Sequence, residues 1–517
     1  MKRKLQNLLF TLIMMMVWST AYAEESEGLG TNIVVISDIH VMATSLFTNG
    51  GADGAAWTAD YAGQRKMLAV SADYFNSFAG FIGAKLPKIL LVTGDLTKDG
   101  ELASHSSVRN ELSRLLSKGI KVFVIPGNHD INTGIAYKYD GDNRVALTTA
   151  EMMTTADAFK KYYADYGYGK KSKHDPNGSL SYVAEPVDGL VLLAIDSHTG
   201  SVAPATLSWI CQKAKAARIA GKQVIAMMHH PLFPHITGAD LFIDTYAVAN
   251  HEMVRDALID AGVKVILTGH FHTSDIAQDW KGDTKSGESI YDVSTGSLVS
   301  YPCDYRTLTL SADKQTLNVT TSKFDSSSKD FLLDRVASIT KAAIESKINA
   351  MTNPTQKAAA MAVATDEVKN NIGAFAANLF ITHAEGDEYF SANKETLLAA
   401  YNGFKANPTL SMLLTQAGID DNAIRSILED KSNYGTEKAD MTHDRVLTIS
   451  LATTTPIVPG DLNGDLNGDN AVDVTDVVEL IDMVLAGIYD SAGDINNDGE
   501  VDVTDVVELI DIVLSGE

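Results

Sequence analysis

The sequence predicts an α/β fold of layered strands and helices, and three observations carry that prediction. Short apolar runs alternate with helical stretches from about residue 30 to 322. Each run stops at turn-forming residues. Six of the run ends carry side chains of the kinds that bind metals or support such a site. Short β-rich runs bounded by turn residues form buried strands, and strands alternating with helices build a layered α/β domain. In open α/β sheets the site forms outside the carboxyl ends of the strands, so the pattern predicts one site assembled from distant segments.

In chain order, Ile33-Val34-Val35-Ile36 runs into Asp38-Ile39-His40, Ile89 to Val92 into Gly94-Asp95, and Val122 to Ile125 into Gly127-Asn128-His129-Asp130. Leu190 to Ile195 ends in Asp196-Ser197, Val224 to Ala226 leads to His229-His230-Pro231, and Val265 to Leu267 leads to Gly269-His270-Phe271-His272. Gln64 to Ile82, Leu102 to Ser117, Pro204 to Ala220 and Tyr246 to Ala261 read as the intervening helices. Trp280 to Gly287 is polar and reads as a loop, after which Ile290 to Val293 and Arg306 to Leu310 look like added antiparallel strands. From Asp330 the texture is helical, with Phe331 to Met351, Gln356 to Ala384, Lys394 to Lys405 and Ala423 to Leu428 punctuated by Pro354, Gly386 and Pro408. Val446 to Leu451 could return as a strand, and Thr453 to Pro456 with Pro459-Gly460 forms a linker.

At 517 residues the chain is long enough for two to four domains. Its formal charge of −24 is concentrated at one end: from Asp461 onward there is no Lys, Arg or His and about sixteen acids. Phosphate backbones attract cationic surfaces, so no nucleic-acid polymer is expected as a partner; dense acid suits a cation. At the other end, Lys2, Arg3 and Lys4 precede an apolar run from Leu8 to Trp18 and then Ala21-Tyr22-Ala23. That is the layout of a secretory signal peptide cleaved after Ala23. The run is short for a bilayer span, so export without a permanent membrane anchor is expected, to the periplasm, the exterior or a surface complex. Cys211 and Cys303 are the two cysteines; an exported protein could pair them, and two isolated thiols fit equally.

Carboxylates and imidazoles gathered in this way suit two neighbouring cations, with one carboxylate bridging them. The ordered set Asp-x-His, Gly-Asp, Gly-Asn-His-Asp, a His ahead of a Pro, and Gly-His-x-His resembles the calcineurin-like metallophosphoesterases. The resemblance implies a two-sheet sandwich flanked by helices that holds two divalent or mixed-valence transition metals (Mn, Fe or Zn). It places Asp38, His40 and His272 on the first metal, Asp95 between the two, and Asn128, His229 and His270 on the second. His129 would stand beside the leaving oxygen with Asp130 orienting it, while a metal-bound hydroxide attacks the phosphoester substrate in line. His230, His235 and Asp275 read either as supporting partners or as surface and turn residues, Asp196-Ser197 as support for the sheet edge, and His105 as a helix-surface residue.

Gly94-Asp95-Leu96-Thr97, Pro126 to Asn132, and Gly296-Ser297-Leu298 with Tyr305-Arg306 are further similar to bacterial exported relatives of the class III cyclic-nucleotide phosphodiesterases. That implies phosphodiester cleavage, with a phosphomonoesterase or nucleotidase as the alternative. A non-catalytic binding protein is the rival from another class. The helical segment, which carries His383, could overhang the cleft or bury a sheet face.

The tail is an internal duplication. Val472 to Leu485 recurs almost unchanged at Val501 to Leu514, 29 residues further on. Asp465, Asn467, Asp469, Asp473 and Asp476 in the first copy, and Asp494, Asn496, Asp498, Asp502 and Asp505 in the second, occupy loop positions one, three, five, nine and twelve. Oxygen ligands at that spacing before an apolar helix can enclose Ca²⁺. Position six is Gly499 in one loop and Asn470 in the other, both tolerant of positive φ. The two units resemble a type I dockerin, which implies a cohesin-type scaffold as partner, contacted around Val474-Thr475 and Val503-Thr504. The acidic Asp482 and Asp511 depart from that family's pattern. The expected organisation is therefore a signal peptide (1–23), a catalytic domain (24–322), a helical accessory domain (323–452), a linker (453–460) and a calcium-binding module (461–517).

Overall fold

The computed structural model describes residues 30–236, 246–283, 287–325, 327–416, 419–429, 443–453, 464–466, 472–488, 492–496, 498 and 500–515. The export segment, most of the linker, and Asn467, Asp469, Asn470 and Gly499 of the tail loops lie outside the described residues.

All six apolar runs are strands, three in each of two sheets. The first sheet has six strands in the order Val446–Ser450, Thr316–Lys323, Asp304–Leu310, Thr31–Ile36, Ile89–Val92, Lys121–Val124. Its three motif-bearing strands pair in parallel, Ile33 opposite Ile89 and Ile89 opposite Lys121. The second has seven, in the order Asp275–Trp280, Ser289–Ser294, Val265–Thr268, Gln223–Met228, Leu190–Ile195, Tyr182–Val187, Lys173–His174. Ser289–Ser294, expected to be antiparallel, runs parallel to Val265–Thr268 and antiparallel to Asp275–Trp280.

One continuous core joins both sheets and takes in Phe75, Phe78, Ile82, Val108, Leu112 and Leu115 from the helices Ser71–Lys85 and Leu102–Ser117. A second core lies between the second sheet and the helices Pro204–Ile219 and His251–Asp260. The result is a helix-flanked sandwich whose parallel strands point their carboxyl ends to one rim. Such strands are fully buried, which is why they read as unbroken apolar runs.

The helix expected from Gln64 begins later, with a 3₁₀ turn at Leu68–Val70 leading into Ser71–Lys85. The Met67 amide instead donates to the Val299 carbonyl (2.8 Å), and Gln64 to Lys66 form an irregular, bent connection outside any helix. The expected Gln356 to Ala384 helix is two, Pro354–Val363 and Asp366–Glu385, because Thr365 caps the second by accepting from the Val368 amide. Pro408–Gln416 is a further helix, with proline at its first position where a missing amide proton costs nothing.

Val446–Ser450 pairs antiparallel with Thr316–Lys323 at the edge of the first sheet. The helices Lys329–Ala350 through Asp421–Leu428 are therefore an excursion between two adjacent strands. They meet the sandwich through Tyr246 and Phe271, which pack in a cluster with Phe375, Leu379 and Ile424. Arg445 fastens the return by donating to the Asp304 carboxylate and the Glu385 carbonyl. Among the described residues no helix is long and apolar enough to cross a membrane.

In the tail, Val474–Ala486 and Val503–Ser515 form a helix pair around Val477, Leu480, Ile495, Val506 and Leu509. Cys211 and Cys303 are free thiols, the second of them buried.

Candidate dinuclear metal centre

The strand ends deliver the predicted ligand side chains to one cluster, buried except for Asn128 at its mouth. Asp38, His40, Asp95 and His272 bring one ligand atom each to within 4.8 Å of one another, and Asp95, His229 and His270 do the same alongside them. His40 Nε2 is 3.1 Å from His272 Nε2 and 3.4 Å from Asp95 Oδ2. On the other flank His229 Nε2 lies 3.5 Å from the same Asp95 Oδ2, 3.2 Å from His270 Nδ1 and 3.1 Å from Asn128 Oδ1. One carboxylate oxygen thus faces both groups. Donor atoms bound at about 2.1 Å to a common ion lie roughly 3.0–3.4 Å apart, close to the spacing seen here.

Each ligand is aimed by its neighbours. Asp38 Oδ2 accepts from Ser37 Oγ (2.6 Å) and the His270 amide (2.9 Å), while the buried Oδ1 has no hydrogen-bond partner and sits 3.3 Å from His272 Nε2. Asp95 Oδ1 accepts from the His129 amide (2.9 Å), which turns Oδ2 to the centre. His229 Nδ1 donates to the Thr93 carbonyl (2.9 Å), fixing the tautomer that presents a lone pair at Nε2. A buried acceptor left without a donor is costly. The orphaned Asp38 Oδ1, together with unprotonated ring nitrogens converging on carboxylate oxygens, is the donor set of a cation site. These residues therefore fit the two transition metals.

The backbone is bent to make this possible. Asp38, His40, Asp95, His270 and His272 all have φ between 38° and 70°, a left-handed conformation rare outside glycine that clusters at functional sites. The motif glycines also permit close approach, and Gly94 itself has φ 97°. A Cβ on Gly94 would lie 2.5 Å from the His229 ring, and one on Gly127 would lie 2.2 Å from Asp95 Oδ1.

Burial and neighbouring charge set which ligands carry a proton. Burial holds His40, His270 and His272 below the ordinary histidine pKa, so they are neutral near pH 7. Burial opposes the charge on Asp95, but His229, His129 and His40 outweigh it and keep the carboxyl well below its usual range. Burial also opposes charging His229, yet Asp95 and Asp38 push it up to about 9, the proton a cation would displace.

Two expectations are corrected here. The Asp130 carboxylate does not touch the His129 ring; it accepts from the amides of Leu96, Thr97 and Gly127 and from Thr97 Oγ1, clamping two motif loops together. Burial, then the Asp95 charge, push Asp130 up to about 6. The partner of His129 is Asp99, whose Oδ1 lies 2.8 Å from Nδ1. Nor is His105 on a helix surface: it is fully buried, 3.0 Å from the Asp130 carbonyl through Nε2 and 2.7 Å from the Tyr163 hydroxyl through Nδ1. His230 and His235 are also buried: His230 pairs with Ser197 Oγ at 3.1 Å, and His235 sits between Asp275 and Asp292. Asp196 accepts from the Leu180 amide and pairs with His198.

The centre opens into a cleft of about 250 Å³ lined by Asp95, Asn128, His129, His270 and His272 together with Gly63 to Lys66. Arg65 and Lys66 are cations that the sequence reading did not single out. Burial pulls Arg65 down to about 10 and lowers Lys66; Arg65 stays charged at neutral pH.

Fold and site together define a metal-binding hydrolase fold of the phosphoesterase class. Residues 31–274, just under half the chain, match the model of the calcineurin-like phosphoesterase family, and this segment is a calcineurin-like phosphoesterase domain. No curated protein matches the sequence. Among solved structures the chain is similar to a dimetal phosphatase from Danio rerio, at 13% identity and TM-score 0.39, covering 57% of this chain and 96% of that one. It is also similar to a purple acid phosphatase from seeds of yellow lupin (Lupinus luteus), at 9% identity and TM-score 0.37, covering 57% of this chain and 52% of that one.

Proposed function

We propose that this protein is an exported, dinuclear metal-dependent phosphodiesterase held in place by a calcium-dependent docking module. The observation that carries the catalytic reading is the single oxygen, Asp95 Oδ2, shared between His40 on one side and His229 on the other. Asp38, His40 and His272 would hold one ion, Asn128, His229 and His270 the other, with Asp95 between them. Two ions so placed neutralise phosphoryl oxygens and supply a strong oxygen nucleophile at neutral pH.

The protein's own groups do the rest. Asp99 holds the Nδ1 proton of His129 and leaves Nε2 to give a proton to the departing oxygen. Arg65 and Lys66 bind the anionic phosphate and orient it. Asp130 and His105 keep the motif loops in register.

Preference for diesters rests on the motif resemblance. A second reading, phosphomonoester hydrolysis, draws on the two cations at the cleft, since a monoester carries more negative charge. The deciding measurement is kcat/KM of the manganese-loaded protein on bis-p-nitrophenyl phosphate against p-nitrophenyl phosphate. Higher kcat/KM on the diester supports phosphodiesterase function, and the reverse replaces it with the monoester reading. Equal turnover by wild type and Asp95→Asn would remove the catalytic reading and leave a binding protein.

For the tail, Asp505 accepts from the amides of Ile495, Asn496 and Asp502, folding the second loop around Asp494 and Asp498. Asp476 plays the same part toward Leu466 and Asp473. Val474, Leu485, Val503 and Leu514 are 65%, 81%, 65% and 75% exposed, an apolar face of the kind that marks an interaction site and suits a cohesin-type scaffold. Unchanged helicity of the tail on calcium chelation would rule out the calcium assignment.

A further inference from the structure

A cavity of about 480 Å³ lies between the helical excursion and the catalytic layers, and it shares a wall with the metal cleft. Gly63 and Arg65 line both spaces. So does the ligand loop, because Phe271, between the cleft residues His270 and His272, puts its ring into the cavity wall. Beyond that junction the lining comes mostly from four helices, Lys329–Ala350, Asp366–Glu385, Pro408–Gln416 and Asp421–Leu428, with Ile236, Ala364 and Ile419 from loops. Among its described residues only Arg65, Thr340, Lys347 and His383 are polar. Arg65 marks the boundary, with its guanidinium 4.8 Å from the Phe380 ring centroid.

Packed interiors hold few voids larger than a water molecule, and this one has the volume of a small-molecule site. A polar ligand would lose its hydration against hydrocarbon there. An apolar chain would gain by entering. Where such a chamber opens beside a cationic, metal-binding cleft, the complementary ligand has a phosphate at one end and hydrocarbon at the other.

We infer that the substrate is an amphiphilic phosphate ester, with its phosphate at the metal cleft beside Arg65 and Lys66 and a hydrocarbon ester chain in the cavity behind Phe271. This rests on the phosphoesterase reading of the same site and narrows its substrate class. The helical excursion is then the specificity element. Hydrolysis breaks the bond between phosphorus and the leaving oxygen. Water supplies the new oxygen on phosphorus and, through its proton, the released alcohol, while the chain-bearing ester stays bound.

The test is a series of methyl, butyl and octyl 4-nitrophenyl phosphates at monomeric concentrations, hydrolysed by the full manganese-loaded chain. A fully buried methylene favours binding about fourfold, so kcat/KM is expected to rise at least about tenfold from methyl to octyl. In Ala376→Phe and Ala343→Phe, which fill the cavity from two helices, the rise should collapse while the methyl ester is turned over within about twofold of wild type. Calorimetry with octylphosphonate and methylphosphonate reads the same difference without turnover.

A flat series in wild type, with the methyl ester still hydrolysed, overturns this inference and leaves the phosphoesterase reading standing. A rise untouched in both folded variants places the chain elsewhere and also overturns it. No hydrolysis of any member defeats the phosphodiesterase reading and this inference with it. Should neither variant fold, the wild-type series and the calorimetry decide.

Discussion

The contact between His129 and Asp99 yields the sharpest expectation about catalysis. Asp99 is 6% exposed at its side chain, and its Oδ1 lies 2.8 Å from His129 Nδ1. Burial opposes its charge, but His129 and Lys98 hold its carboxyl below the usual carboxylate range, so it is ionised across the neutral range. Replacing it by Asn keeps the shape and removes the charge. A hydrogen bond to a charged group contributes about 1.5–3 kcal/mol, which corresponds to roughly a 10- to 150-fold loss in kcat if His129 must carry a proton in the transition state. The loss should depend on the leaving group. p-Nitrophenolate departs without protonation, so Asp99→Asn should lose little on a p-nitrophenyl ester and the full amount on a phenyl or alkyl ester. The assay is kcat for a leaving-group series in wild type, Asp99→Asn and His129→Ala. Equal losses across the series would refute proton donation by His129 and reduce Asp99 to a structural anchor.

Other expectations follow from single contacts. Gly127→Ala places a methyl 2.2 Å from Asp95 Oδ1 and 2.4 Å from the Asp95 amide, so the shared carboxylate must move. Metal content, measured by elemental analysis of the purified protein, should fall, with activity down at least about 10- to 100-fold. His235 is fully buried with Asp275 at 3.5 Å and Asp292 at 3.1 Å; burial works against its charge, but the two carboxylates push it up to about 10. A raised folded-state pKa gives stability that is complete below the unfolded value of about 6.5 and is lost as pH rises through 10. The amount is on the order of a few kcal/mol. The melting midpoint of the catalytic domain should therefore fall between pH 6.5 and 10 in wild type, with a shallower slope in His235→Asn.

The strands were legible because burial on both faces leaves an unbroken apolar run, and the motif residues because chemistry of this kind tolerates few side-chain types. Side-chain direction was not. Asp130 follows His129 directly and was expected to orient it, yet successive residues in a turn point apart, and the carboxylate four positions after Asp95 reaches the ring instead. His105 shows the same limit: a histidine on an amphipathic helix reads as surface until Tyr163, distant in sequence, is found across from it. Arg65 and Lys66 were hidden inside an expected helix, since nothing local shows that the Met67 amide would bond to Val299. In the tail, Leu485 closes the duplicated apolar segment yet is 81% exposed, because two short helices can bury only one stripe each.

The pairing of Val446–Ser450 with Thr316–Lys323 gives the helical excursion the status of an enlarged hairpin loop. Its two roots sit one strand spacing apart, about 4.8 Å, so a turn of a few residues could join them. The segment is thus interchangeable in the way a tool head is on a fixed handle: it can be shortened, lost or swapped without rethreading the sheet or disturbing the order of the metal-bearing strands. A lineage carrying this frame can therefore change what it accepts by exchanging one insert, while the strand order stays fixed and the exchanged face need only cover Tyr246 and Phe271.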